Sequence, residues 1–259
     1  MVAALLLDVN DRAAIERTPP RMPVRRCERA DTLRSLLGTG QVRLVVSELR
    51  DRVGASVIPV LGEAAARLAR PSIVVRTALT DAAAGDVIRF AAARIAARVS
   101  IRETEPLANA MRDALGSGGE RRADLAIIER VGPSVPRELR AFVVLCAASS
   151  SHRLHVARAA ALLGVGRRTI ESRLARAELP AAHRIIGWCV ALHAAWQLDV
   201  LDRLPKQVAA SFGFATGAAL ANLLARYCGC SATSLREHGG FQVQLERFAT
   251  LFEPSAPAG

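Results

Sequence analysis

The sequence predicts two domains of different class: an α/β domain on a doubly wound parallel sheet, then an all-helical domain. Three observations carry this reading. Over residues 1–115, short β-branched or apolar runs alternate with amphipathic stretches at helical spacing, as expected of a parallel sheet covered on both faces. From Pro136 onward helical periodicity dominates, with stops at Gly164, Pro180, Gly213, Gly229 and Gly239-Gly240. Between the two lies Gly116-Ser117-Gly118-Gly119, then Glu120-Arg121-Arg122, a glycine-serine break flanked by charge. The expected layout is therefore an α/β domain at 1–115, a linker at 116–135, a helical domain at 136–240 and a tail at 241–259.

In the first domain the expected strands are Val2–Leu7, Val42–Val46, Ser72–Val75 and Arg98–Ile101, with a weaker one at Pro23–Cys27. Helical stretches fall between them at Asp11–Glu16, Ala30–Leu37, Ala55–Ala69, Asp81–Ala97 and Pro106–Leu115. Five βα units in so short a span suit a flavodoxin-like sheet.

Charge and composition narrow the function classes. The 259 residues carry 35 Lys+Arg against 24 Asp+Glu, a formal net charge of +11. Such a balance points to a polyanionic partner, either nucleic acid or an anionic membrane surface. Residues 1–120 hold 18 basic and 14 acidic side chains and residues 121–259 hold 17 and 10, so the surplus lies mainly in the second part. Lys206 is the only lysine; a GC-rich coding bias also produces this, so the arginine surplus alone carries little weight. Phe90 is the only aromatic among residues 1–120, which suggests that the two halves have different tasks. No run approaches the roughly 18–20 apolar residues of a membrane span. Met1–Leu7 lacks a basic lead and is ended by Asp8, so it reads as a strand, not a signal peptide. Five scattered cysteines (27, 146, 189, 228 and 230) suit reduced thiols in a cytoplasmic protein. Cys228-Gly229-Cys230 is the one close pair, with no second pair to complete a zinc site.

The readable motif is Leu154–Ala177. Ala157, Ala160, Ala161 and Leu163 can form the buried side of one helix, and Gly164-Val165-Gly166 a short turn. In a second helix from Arg167, Ile170 and Leu174 face the core. Arg167, Arg168, Thr169, Glu171, Ser172 and Arg173 occupy the other faces. Helix, glycine turn, helix is the helix-turn-helix pattern, whose second helix would offer Arg, Thr and Ser to a major groove. An ordinary helical hairpin with a solvated basic face has the same outline.

A second copy follows in Leu204–Arg236. Val208, Ala209 and Phe212 line one helix, Gly213-Phe214 makes the turn, and Thr216 to Arg226 forms the next helix with Leu220, Leu223, Leu224 and Tyr227 on its apolar side. Between the copies, Ala182–Leu198 reads as a long apolar connecting helix containing Trp188 and Trp196. With these features residues 138–240 resemble the AraC/XylS-type DNA-binding domain. Matching positions are Ala160, Gly164 and Arg173-Leu174 in the first unit. In the second they are Val208-Ala209, Gly213-Phe214, Leu220, Leu224 and Gly229 with Ser231. The chain departs from the family in having Leu220 and Leu224 where Phe is usual and Ala232 where Pro is usual. The resemblance implies two units joined by a long helix and entering neighbouring major-groove segments of double-stranded DNA. The second reading helix, with Ala215, Thr216, Gly217, Ala218, Ala221, Asn222 and the single Arg226, is poor in base readers. The first unit is therefore expected to supply most base contacts, and the second phosphate contacts or shape complementarity.

Residues 1–115 more loosely resemble the receiver domain of bacterial response regulators, through Leu44–Leu49 as third strand and Ile73–Thr80 as fourth. The chemistry departs at each position. Glu48 stands at the degenerate phosphoacceptor position, Asp8 alone ends the first strand with Asp11 nearby, and no lysine occurs in residues 1–120. Arg102 lies near the lysine position with a different geometry. Three readings of this domain compete: a dimerisation scaffold, a domain with permanent negative charge at Glu48, and a small-ligand sensor. Thr77 reads as a strand-end residue, not a switch.

No Gly-x-Ser-x-Gly, P-loop or His-Glu-x-x-His motif occurs, and neither His152 and His155 near Cys146 nor Ser149-Ser150-Ser151 forms a visible catalytic set. The expectation is a cytoplasmic transcription regulator, not an enzyme, without cofactor or metal and away from membranes. Its partners would be double-stranded DNA, a second copy through the N-terminal domain, and RNA polymerase. The alternative is an interaction or adaptor protein whose degenerate helix-turn-helix domain no longer reads DNA.

Overall fold

The computed structural model describes residues 1–17, 23–67, 70–116, 123–149, 154–214 and 216–253. They form two compact units, Met1–Ala126 and Ile127–Gly259.

The first unit contains β1 (Val2–Leu5), α1 (Val9–Arg17), β2 (Val24–Arg26), α2 (Ala30–Gly38), β3 (Leu44–Ser47), α3 (Ile58–Ala65), β4 (Ser72–Thr77), α4 (Asp81–Ala92), β5 (Arg98–Ile101) and α5 (Leu107–Gly116). All five strands pair in parallel, in the order β2-β1-β3-β4-β5. Every residue of β1, β3 and β5 is buried, which is why β1 and the Leu44–Val46 run of β3 are continuously apolar, whereas β5 alternates, with Arg98 and Ser100 buried beside Val99 and Ile101. On one face Val2, Ala4, Leu44, Val46 and Val74 pack with Ile15 of α1 and with Leu107, Ala110, Met111 and Ala114 of α5.

Element ends differ from expectation for local reasons. β1 stops at Leu5 because the Leu7 and Asp8 amides donate to the Glu48 carboxylate instead of to a strand. The helix expected over Ala55–Ala69 is confined to Ile58–Ala65, since residues 51–55 form a turn around Asp51, whose carboxylate accepts from the amides of Val53 and Ala55. The helix expected to reach Ala97 ends at Ala92, where Arg94 adopts a φ of 55°.

Two boundaries are corrected. The second part of the expected linker 116–135 is helical: α6 (Ala123–Val131) buries Ala123, Leu125, Ile127, Ile128 and Val131, and a 3-10 turn follows at Gly132–Ser134. The glycine-serine segment 117–122 lies outside the described residues. The expected tail 241–259 contains another helix, α13 (Gly240–Ala249), with a 3-10 turn at Thr250–Phe252.

The second unit continues with a 3-10 turn at Arg137–Leu139, then α7 (Arg140–Ala148), α8 (Val156–Leu162), α9 (Arg167–Arg176), α10 (Ala182–Asp199), α11 (Pro205–Ser211) and α12 (Gly217–Cys228) before α13. No strand occurs among its described residues. α10 is its axis, packing against α7, α8, α9, α11, α12 and α13. Because it is contacted on all sides, it is apolar around its circumference, with Ile185, Trp188, Cys189, Leu192 and Ala195 among its buried residues. Trp188 packs on Tyr227 and Phe248, with centroids 5.8 and 5.7 Å away. Arg130 pairs with Glu246 at 2.8 Å and Glu253 at 3.1 Å, tying α6 to the C-terminal helix.

Among the described residues no helix is long and apolar enough to cross a membrane. All five cysteines are free and buried.

Candidate nucleic-acid interface

Two helical hairpins, α8–α9 and α11–α12, repeat one local geometry. In the first, Leu163, Gly164 and Val165 donate their amides to the carbonyls of Ala159, Ala161 and Ala160. In the second, Phe212, Gly213 and Phe214 donate to Val208, Ala210 and Ala209 in the same pattern. Gly164 and Gly213 sit at φ 65° and 62°, a left-handed conformation that glycine adopts without steric cost. After the turn the second copy is one residue longer, and its register resumes with Ile170 matched by Leu220 and Leu174 by Leu224, all four buried. Ala159 and Ala160 correspond to Val208 and Ala209, also all buried. The buried side of α8 is thus Ala159 and Ala160. The expected Ala157 and Ala161 are exposed and Leu163 is half-buried. In α12, Leu223 and Tyr227 are only half-buried, flanking the Leu220–Leu224 seam.

The solvent sides differ. On α9, Arg167, Arg168, Thr169 and Ser172 are exposed and Glu171 is half-buried. Arg167 Nε donates to Glu171 at 2.8 Å, one helical turn on. Arg173 is not displayed with them: it is half-buried and donates to the Glu138 carbonyl at 3.1 Å. Arg176, outside the set expected from the sequence, is exposed at the end of the same helix. Its signal was its place one helical turn beyond Ser172. On α12, Thr216 precedes the first turn, and Gly217, Ala218, Ala221, Asn222 and Arg226 are exposed. Arg226 lies 5.5 Å from the centroid of the Tyr227 ring. Ala215 lies outside the described residues, as do Ser150, Ser151 and His152. His155 accepts from the Arg158 amide at the start of α8, and Ser149 is buried.

Gly187, in the middle of α10, has a steric role: a Cβ there would lie well inside contact distance of the Tyr227 ring and hydroxyl. The absent side chain lets α12 lie close against α10.

In the first unit, charged side chains collect at the C-terminal ends of the strands. Glu48 Oε1 accepts from the Leu7 amide at 2.8 Å and the Asp8 amide at 3.2 Å, and lies 3.3 Å from Arg102 Nη2. Arg102 Nε donates to Asp11 at 2.8 Å, with Asp8 further off at 3.9 Å. Burial opposes the Arg102 charge, but the hydrogen bond and charge of Asp11, reinforced by Glu48 and Asp8, hold its pKa above the ordinary arginine value. Arg76 belongs to the same cluster, although no local pattern in the sequence marks it. It follows Val74 on the face covered by α5, is 4% exposed, and pairs with Asp11 while donating to Ser100 Oγ at 2.6 Å and the Glu105 carbonyl at 3.0 Å. Thr77 is buried and donates to the Ala78 carbonyl. Beside this network lies a shallow cleft of about 260 Å³ lined by Glu48, Arg50, Thr77, Thr80, Asp86 and Arg102, among others. Among the described residues no group of three or more His, Cys, Asp or Glu is arranged to hold a metal ion.

Comparison with protein-family models, with curated proteins and with solved structures found no match.

Proposed function

We propose that the chain is a sequence-specific regulator of transcription that binds double-stranded DNA through two helix-turn-helix units of AraC/XylS type. One observation carries the reading: the two hairpins share hydrogen-bond pattern, turn glycine and buried register, and both pack on α10. A duplicated hairpin on a rigid axis fixes the separation of two reading helices, as recognition of neighbouring major-groove segments requires. The exposed Arg167, Arg168, Thr169 and Ser172 supply donors suited to guanine edges and phosphates.

The first unit serves this regulator as a flavodoxin-like, receiver-like domain outside aspartyl phosphorylation. Its parallel order β2-β1-β3-β4-β5 is the doubly wound order of that class. The carboxylates Glu48 and Asp11 are already bound by Arg102 and Arg76, so the acceptor position holds an internally compensated ion pair. Incubation with acetyl phosphate and Mg²⁺ should leave the intact mass unchanged; a labile gain of one phosphoryl group overturns this part.

The DNA reading is tested by titrating the full chain with random-sequence duplex over a salt series. Neutralising several phosphates releases counterions, so affinity should fall by orders of magnitude between about 50 and 200 mM salt. Arg168→Ala should weaken binding at every salt concentration. Absence of duplex binding at low salt refutes the proposal.

A further inference from the structure

The hairpin register assigns equivalent places to side chains of α9 and α12. Since Ile170 matches Leu220 and Leu174 matches Leu224, Ser172 and Asn222 occupy the same exposed place, and Arg176 and Arg226 the same place one turn later. The first-turn arginines have no counterpart, because Arg167 and Arg168 fall opposite Gly217 and Ala218. Between Gly217 and Arg226 of α12, Asn222 is the only side chain with a hydrogen-bonding group. It is exposed, and its amide has no partner among the described residues. The buried seam of Leu220, Leu224 and Cys228 turns Asn222 outward, as Ile170 and Leu174 turn Ser172.

We infer that Asn222 is a base-reading residue specific for adenine, so that the DNA site consists of two unlike half-sites, one read through arginine and the other through Asn222. An amide presents one donor and one acceptor side by side, which matches the N6 donor and N7 acceptor of adenine and no other base edge in the major groove. Arginine in the first turn of α9 matches the O6 and N7 acceptors of guanine. Arg176 and Arg226, at the same place in both copies, serve both halves alike as phosphate contacts, which position without specifying. The inference rests on the DNA-binding reading above and sharpens it: α12 does more than add phosphate contacts or shape.

The test is selection of full-length protein on a random duplex library, with Asn222→Ala and Asn222→Gln in parallel. Wild type should enrich a non-palindromic pair of half-sites, one with guanine and one with adenine. Asn222→Ala should lose the adenine preference at one position and bind the selected site about 5- to 150-fold less tightly. A thermal unfolding midpoint no lower than that of wild type, as expected at an exposed helix position, separates loss of reading from loss of folding. Asn222→Gln, which keeps the amide, should retain part of the preference. If Asn222→Ala keeps every base preference of wild type, the inference is wrong. It also fails if the chain binds random duplex in a salt-dependent way but enriches no adenine-bearing half-site, an outcome that leaves the broader reading standing. No duplex binding at low salt removes both.

Discussion

Asp51 shows how one carboxylate can hold three pieces of backbone. It is 4% exposed and accepts from the amides of Ala30, Val53 and Ala55, at 3.1, 3.0 and 2.9 Å. The Ala30 bond is the largest cause of its lowered pKa, and the amides of Ala55 and Val53 add to it. Asp8 is lowered by the Asp11 amide in the same way. Both folded pKa values lie below the ordinary value near 3.8, so the stability they contribute is complete above that value. It is lost as pH falls through the lowered ones. Urea unfolding across an acid series should therefore show a steep loss below about pH 4, and Asp51→Asn should flatten it while lowering stability at neutral pH. Arg76 represents the opposite risk. Its charge is buried and paired with Asp11, with further hydrogen bonds to Ser100 Oγ and the Glu105 main-chain carbonyl, and removing one partner of a buried pair costs roughly 3–5 kcal/mol. Arg76→Ala should lower the unfolding free energy by about that much, and an unchanged midpoint would show the network to be idle. A charge inside an apolar strand run looks like an outward-facing residue in the sequence. Its partners Asp11 and Glu105 are far from it along the chain, so nothing local announces the pairing.

At the scale of elements, the parts visible in the sequence were those whose burial is uniform or strictly periodic. β1, the start of β3 and the middle of β4 are apolar because both faces are covered, and α10 is apolar around because helices contact it on every side. α13 escaped because its core positions include Gln244, which is fully buried and satisfied by the His238 carbonyl and by Arg247. A polar residue at a core position breaks the stripe by which an amphipathic helix is recognised. The buried positions of α8 were misread because a run of alanines offers no contrast between faces. Gly187 and Gly217 make opposite predictions from the same residue type. A methyl group at Gly187 collides with Tyr227, whereas at Gly217 it meets open space. Gly187→Ala should cost about 1–3 kcal/mol by overpacking and, by displacing α12 from α10, weaken binding to any selected site. Gly217→Ala should raise stability by about 0.4–1 kcal/mol by restricting the unfolded chain. Thermal unfolding of the two variants, run side by side, checks both signs.

At the scale of the whole molecule, the two units have separate cores and separate natural reporters. Cys27 is the only cysteine of Met1–Ala126, while Cys146, Cys189, Cys228 and Cys230 lie in the second unit with both tryptophans. Burial pushes Cys27 up to about 11 and Cys189 up to about 12. At pH 8 the thiolate fraction at Cys27 is then on the order of one in a thousand before access is considered, and the thiolate is the reacting species. Native protein should accordingly react very slowly with iodoacetamide, and each thiol should report the opening of its own unit. Two compact units with independent cores do not have to unfold together. With rising urea, Cys27 labelling should trace one transition, and tryptophan emission together with Cys189 labelling another, with separate midpoints. The Arg76→Ala variant should shift the first midpoint and leave the second in place; Gly187→Ala should do the reverse. A single transition seen by all three reporters, moved equally by both substitutions, would mean that the chain unfolds as one cooperative body.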